Sequence, residues 1–243
     1  MSNVFYTPGE QRAAKVNDLF AAIARRYDLL NDLQSFGLHR RWKRRVVELA
    51  AVQSGNRALD LCCGTGDLAL ALARRGAEVT GLDFSQKMLE VAESRNKIRD
   101  PKSGARNPTF VQGDAQQLPF PDASFDIVTV GYGLRNLANW EKGLDEMHRV
   151  ARPGARLVVL DFGKPANALW RAIYFGHLRC SVPLIGRLFC GNADAYAYIL
   201  ESLKQYPAQL AVAAKMRELK LVNVRVINFL GGAMAINYGE KPK

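Results

Sequence analysis

The chain has 243 residues, with 34 Lys+Arg against 23 Asp+Glu for a net charge of +11 at pH 7, and is 48% hydrophobic and 9% aromatic. These proportions suit one sizeable globular domain and exclude a disordered chain, a collagen-like repeat and a disulfide scaffold. So basic a chain has two partner classes open to it, nucleic acid and an anionic membrane face, and charge alone does not choose between them.

The cysteines are Cys62, Cys63, Cys180 and Cys190. Two adjacent thiols suit neither a disulfide framework nor the spacing of a zinc site, so a reducing compartment and no metal are expected. There is no run of roughly 20 uncharged apolar residues, and Met1 to Arg12 lacks the apolar core of a signal peptide. The expected location is cytoplasmic, at most peripheral to a membrane.

In chain order, Val16, Leu19, Phe20, Ile23 and Ala24 fall on one face of a helix between Lys15 and Tyr27. A basic helical run follows from His39 to Arg45. Arg57–Leu61 reads as a short buried strand, which Cys62-Cys63-Gly64-Thr65-Gly66 breaks before a helix from Leu68 to Arg75. Ala77–Leu82 is the second strand and Ser85–Asn96 a helix, followed by a Pro- and Gly-containing loop over Asp100–Pro108. Strands at Thr109–Gln112 and Phe125–Val130 precede a helix at Trp140–Ala151, a turn at Pro153-Gly154 and a fifth strand at Ala155–Phe162. This alternation predicts an α/β fold with a doubly wound, mainly parallel sheet.

Residues Gly163–Gly191 break the rhythm: they carry Lys164, Arg171, Arg179 and Arg187, no Asp or Glu, and many large apolar side chains. The composition suits an interfacial segment or a roof over a site, and Pro183 with Gly186 predicts two short helices in place of one. Two more helices, Asn192–Tyr206 and Ala208–Lys220, lead to closing strands at Val222–Leu230 and Ala233–Tyr238 joined by Gly231-Gly232, making seven strands.

The chemistry concentrates where the first strand turns into its helix, Asp60-Leu-Cys-Cys-Gly64-Thr65-Gly66-Asp67. Two glycines there let backbone approach a ligand at a helix N-terminus, and Asp83 ends the second strand where a ribose-binding carboxylate would sit. By spacing alone this also fits a dinucleotide fingerprint. Carboxylates flanking the loop, Asp60 and Asp67, suit a cationic amine and sulfonium better than a pyrophosphate. With Asp114-Ala115 after the third strand, and Leu118-Pro-Phe-Pro-Asp leading into the fourth, the set resembles class I S-adenosylmethionine-dependent methyltransferases over about residues 57–162. The resemblance implies a Rossmann-like sheet and S-adenosyl-L-methionine as co-substrate. It implies that Gly64, Thr65 and Gly66 hold the methionine moiety, Asp83 the ribose, Asp114 and Ala115 the adenine, with Asp60 and Gly131 completing the pocket.

Base-amine methyltransferases carry an Asn/Asp-Pro-Pro-aromatic motif after the fourth strand, whereas this chain has Gly131-Tyr-Gly-Leu-Arg135-Asn136 and no cysteine nucleophile following it. No nucleic acid partner is therefore expected, the basic run at Arg40–Arg45 being what speaks for an RNA methyltransferase. Tyr27-Asp28-Leu-Leu-Asn31, the run through His39 and Trp42, Gly133-Leu-Arg135-Asn136, Arg149-Val-Ala-Arg-Pro-Gly154, Asp161-Phe-Gly-Lys164 and Tyr196-Ala-Tyr-Ile-Leu-Glu201 together resemble the ubiquinone/menaquinone-biosynthesis C-methyltransferase family. Ala155, where the family has a second glycine after Pro153-Gly154, and the C-terminal Asn-Tyr-Gly-Glu-Lys-Pro-Lys depart from it.

The resemblance implies a lipophilic prenylated quinol substrate, with transfer to a ring carbon that is nucleophilic only in the reduced ring. Asp-Leu-Cys-Cys and Gly131-Tyr132-Gly133 resemble the cyanobacterial, phylloquinone-making members, which implies 2-phytyl-1,4-naphthoquinol. Demethylmenaquinol or a polyprenyl benzoquinol is the alternative. Arg135 is the expected stabiliser of a ring oxyanion, with a structural ion pair as its alternative, and His39 a candidate general base. The implied organisation is one methyltransferase domain over 1–243, with residues 1–50 an N-terminal helical lid and 163–220 a helical substrate cap. Peripheral contact with an anionic membrane and a homo-oligomer are both left open.

Overall fold

The computed structural model describes residues 24, 29, 31, 32, 35–97, 106–190, 202, 203 and 205–243, with backbone alone over 181–190. The elements in order are α1 (Leu38–Ala50), β1 (Arg57–Leu61), α2 (Asp67–Ala73), β2 (Glu78–Asp83), α3 (Gln86–Lys97), β3 (Thr109–Gln112) and β4 (Phe125–Gly131). A 3-10 turn at Leu134–Asn136 follows, then α4 (Trp140–Val150), β5 (Ala151–Phe162), α5 (Ala168–Cys190), α6 (Ala208–Glu218), β6 (Val222–Phe229) and β7 (Met234–Glu240). The expected helices around Lys15–Tyr27 and Asn192–Tyr206 lie largely outside the described residues.

The strands form one seven-stranded sheet in the order β3-β2-β1-β4-β5-β7-β6. Pairing is parallel from β3 through β5, and β7 runs antiparallel to both β5 and β6. Strand order reverses between β1 and β4, the switch point at which a crevice opens outside the carboxyl ends of a doubly wound sheet. β1 is the pivot. Four of its five residues are buried, because helices cover both faces of a central parallel strand.

Side-chain alternation divides the core in two. Leu59, Leu61, Val128, Val130, Leu157 and Val159 point to the face covered by α4 and α6, where Leu144, Met147, Val212 and Met216 pack. Ala58, Ile127, Val158 and Leu160 point to the other face, against Trp42, Val46 and Val47 of α1 and Leu68, Ala69 and Leu72 of α2. The basic run is thus one side of an amphipathic helix: Arg40, Arg41, Arg44 and Arg45 are exposed while Trp42, Val46, Val47 and Ala50 are buried. This part of the expected 1–50 lid is a core-packed layer, while Tyr27 and Asp28 lie outside the described residues.

Two local expectations are corrected. Pro153-Gly154 does not precede β5 but bulges within it: Phe125 pairs with Ala151, Ile127 with Arg156, and Gly154 takes φ +81°. Likewise α5 is one helix through Pro183 and Gly186. Proline deletes a single i→i−4 hydrogen bond, and the ladder on either side of it continues. No described helix is long and apolar enough to cross a membrane.

Arg149, at the end of α4, anchors the loop that leads into β4. Its guanidinium donates to the carbonyls of Leu118 (3.0 Å) and Phe120 (2.8 Å) and pairs with Glu146 and Asp122, while Glu146 accepts from the Leu118 N–H at 2.7 Å. A lysine cannot present this planar fork. Arg149→Lys is therefore expected to destabilise the protein by about 2 kcal/mol, read as a lower urea midpoint with an unchanged m value.

Candidate active site

At the switch point a cleft holds about 820 Å³ of non-protein space, its open mouth included, within the size range of a cofactor site. Its walls are the loops after β1, β2, β3 and β4: Cys62 and Gly64, then Leu82–Ser85 with Met88, then Gly113–Gln116, then Gly131–Gly133 and Asn136–Ala138. Of the expected cofactor residues, Gly64, Asp83, Asp114, Ala115 and Gly131 are in the lining; Asp60, Thr65 and Gly66 are not.

Close backbone approach shapes this cleft. A Cβ on Gly133 would lie 2.3 Å from Cys62 Cβ, so the β1 and β4 loops meet only because residue 133 is glycine, and one on Gly131 would press on the end of the Leu68 side chain of α2 at 2.8 Å. Between them Tyr132 takes φ +63°, and Cys62 opposite takes φ +50°. Tyr132, Phe84, Met88 and Leu137 were not anticipated as wall residues. The glycines flanking Tyr132 were the one signal for it.

Asp83 ties two loops together. Its Oδ2 accepts from Gly64 N at 2.8 Å and its Oδ1 from Ser85 N at 2.9 Å. Burial raises its pKa, and the N–H donors of Ser85 and Gly64 work against that rise. Asp114 accepts from Gln116 N at 2.8 Å. Cys62 is on the wall, not simply in the core, but burial pushes its thiol well up, so it stays protonated and unreactive at neutral pH.

The residues outside the lining are held by other parts of the protein. Arg95 donates to the Thr65 carbonyl and hydroxyl, both at 3.0 Å, which turns Thr65 toward α3. Gly66 takes φ +82°, and a Cβ there would press on Ala92 and Phe110 at 3.1 Å. Asp67 is no free partner for a cationic ligand, since it is clamped by Lys43 at 2.7 Å and Arg95 at 2.5 Å. Burial opposes ionisation of Asp67, yet the two cations bring its pKa down to about 2.

Arg135 takes the ion-pair alternative. Its Nη1 donates to Asp161 Oδ1 at 2.9 Å and to the Tyr132 carbonyl at 2.6 Å, its backbone N–H donates to Asp161 Oδ2, and its guanidinium stacks 4.7 Å from the Phe162 ring. Both side chains of the pair are almost fully buried. The guanidinium therefore fixes the β4 loop to the end of β5 and is not on the cleft wall. His39 is not on it either: its Nδ1 lies 2.9 Å from Ser35 Oγ and 3.7 Å from Asp32 Oδ1. Burial, followed by the charge of Lys43, lowers its pKa. It is a neutral packing residue at pH 7.

Asp60 is the outlier. It faces the α2 side of the sheet beside Thr129, its register partner on β4, whose hydroxyl donates to Oδ1 at 2.7 Å, while Oδ2 has no hydrogen-bond partner. Burial raises its pKa to about 7. The folded protein thus keeps a proton that the unfolded chain gives up near pH 4, and stability present below pH 4 is lost as pH climbs to about 7. Asp60→Asn is expected to remove up to about 4 kcal/mol of this decline, measured as a flatter dependence of unfolding free energy on pH between 4 and 7.

The family described as the ubiE/COQ5 methyltransferase family matches residues 9–241. The ubiquinone/menaquinone biosynthesis C-methyltransferase UbiE of Azotobacter vinelandii is 42% identical over 238 residues, 97% of this chain and 93% of that protein. Its counterpart in Ectopseudomonas mendocina is 43% identical, over 97% of this chain and 92% of that one. Neither supports the expected proximity to cyanobacterial, phylloquinone-making members. Among solved structures, a SAM-dependent methyltransferase from Aquifex aeolicus superposes with a TM-score of 0.56 at 18% identity, covering 82% of this chain and 88% of that one. A Haemonchus contortus phosphoethanolamine N-methyltransferase in complex with S-adenosylhomocysteine gives 0.62 at 16% identity, covering 84% and 53%. These likenesses establish the Rossmann-like methyltransferase fold. The chain belongs to the ubiE/COQ5 methyltransferase family, and S-adenosylmethionine is its methyl donor.

Proposed function

We propose that the protein methylates a ring carbon of a prenylated quinol in ubiquinone/menaquinone biosynthesis, with demethylmenaquinol or a polyprenyl benzoquinol as substrate. The observation that carries this reading is the near full-length similarity to UbiE proteins together with a cleft of cofactor size at the switch point. The relatives' names favour these rings over the phytylated naphthoquinol that Cys62-Cys63 and Gly131-Tyr132-Gly133 suggested.

In this reading Asp83 accepts from the ribose hydroxyls with the lone pairs left over from Gly64 N and Ser85 N, and Asp114 with Ala115 borders the adenine. Gly64 offers bare backbone to the methionine part. Asp60, Thr65 and Gly66 shape the loop without touching the ligand, and Arg135 positions the β4 wall. The first part of the expected 163–220 segment, through α5, serves as the substrate cap, whereas α6 at its end is a core layer packed on the sheet through Val212 and Met216.

S-adenosylmethionine supplies an electrophilic methyl on a positive sulfur. A carbon–carbon bond forms at the ring as the carbon–sulfur bond breaks, its electron pair stays on sulfur to give S-adenosylhomocysteine, and the displaced ring proton leaves to solvent. An oxidised quinone is itself electrophilic and does not react. The apolar wall of Leu82, Phe84, Met88 and Leu137 excludes water and holds the reactants in line.

Transfer of labelled methyl to reduced demethylmenaquinol or demethylated benzoquinol, and none to the oxidised rings, is the expected outcome. Equal rates with and without reductant, or transfer to the phytylated naphthoquinol alone, overturn the proposal. Asp83→Ala should weaken S-adenosylmethionine binding by about 1.5–3 kcal/mol in titration calorimetry, and unchanged affinity in a folded variant would reject its assignment.

A further inference from the structure

The first half of α5 is an amphipathic helix with its apolar stripe turned outward. At 100° per residue, Tyr174, Phe175 and Leu178 share one side and are half-buried, with the Tyr174 hydroxyl donating to the Ala233 carbonyl at 3.2 Å. Leu169, Ile173, Gly176 and Cys180 share the opposite side, and all are exposed, Leu169 at 73% and Ile173 at 52%. Trp170, 40% exposed, donates from its indole Nε1 to the Leu230 carbonyl at 2.9 Å, which joins Leu230, itself 53% exposed, to the same patch.

The charges on α5 itself have one sign. Arg179 is exposed on α5 at the border of the stripe, whereas Arg171 lies on the side shared with Tyr174 and Leu178 and donates to the Pro165 carbonyl at 3.1 Å. Residues 163–191 contain no carboxylate, and the chain as a whole carries +11. Exposed Leu, Ile and Trp on a helix that carries basic groups and no carboxylate complement a surface that is apolar within and anionic at its edge, as an acidic bilayer is. A protein partner would need acidic groups arranged around a matching apolar pocket, whereas a bilayer needs no such fit.

Position strengthens the argument. α5 begins six residues after β5 ends, at the carboxyl edge of the sheet, where the cleft lies, and the Arg135–Asp161 pair links the β4 wall to that end of β5. We infer that Leu169, Trp170, Ile173 and Leu230, with Arg179 beside them, form a docking face for an anionic lipid bilayer that brings the cleft edge of the sheet to the membrane. The inference deepens the quinol reading, because a prenylated ring dissolves in the bilayer and has to leave it near the cleft.

The test is co-sedimentation of the full chain with phosphatidylglycerol/phosphatidylcholine vesicles against phosphatidylcholine alone, without methyl donor or quinol. Binding should require phosphatidylglycerol, fall as salt rises, and drop at least fivefold in Arg179→Glu, since one basic contact near the surface is worth about 1 kcal/mol. Leu169→Ser/Ile173→Ser should release the protein while leaving S-adenosylmethionine affinity unchanged. Failure to sediment at low salt overturns the inference, as does a concentration-dependent dimer that the double variant abolishes, which would assign the face to a second copy. Because no substrate is present, sedimentation without quinol methylation would refute the function alone, and methylation in detergent without sedimentation the docking face alone.

Discussion

The reversal of strand order between β1 and β4 is the constraint from which the rest follows. Connections leave these neighbours toward opposite edges of the sheet, so no helix covers both of their carboxyl ends, and a crevice has to open there. Everything lining it is a loop that starts at a strand end. The crevice narrows to ligand size because the β1 and β4 loops approach through Gly133, a position where any side chain would meet Cys62. The positive φ of Cys62 and Tyr132 is the local cost of that approach, and the parallel ladder on either side holds them in place.

Charge is sorted around the crevice by what each carboxylate can reach. Asp67 and Asp161 each have buried or half-buried cations within 3 Å and act as structural ties, one joining α1 and α3 to α2, the other joining the β4 loop to β5. Asp83 has N–H donors and Asp60 the Thr129 hydroxyl, with the Lys43 charge and the Ala69 N–H helping less, so burial outweighs what offsets it at both. Of these two only Asp83 is in the cleft lining, and a carboxylate of this kind suits a site for a positive ligand, whose charge relieves a desolvation cost already present in the fold. The clamp on Asp67 does its work one step away, by fixing the start of α2 and hence the glycine loop in front of it.

α5 extends the same edge outward. Its inner side is tied to the residue before β7 by the Tyr174–Ala233 hydrogen bond, and its outer side carries exposed Leu169 and Ile173.

Much of this was legible in the sequence, for a physical reason. Strand and helix periodicity is a property of consecutive residues, so the elements from β1 to β7 and the alternating α/β class could be read directly. Gly64 and Asp83 could be placed from the strand–glycine–helix pattern and Asp114 and Gly131 from the family resemblance, and a parallel sheet brings all these strand ends to one edge. Which charges pair could not be read. Arg135 meets Asp161 26 residues away, Asp67 meets Lys43 24 and Arg95 28 away, and these contacts turn a candidate oxyanion stabiliser and a candidate ligand carboxylate into structural ties. Thr65 and Gly66 share a loop with Gly64, yet Arg95 and Phe110 draw them away from the cleft. Local pattern determined which strand ends would supply the site. Only the tertiary structure decided which side chains there stay available, because availability depends on what else has come within 3 Å in space.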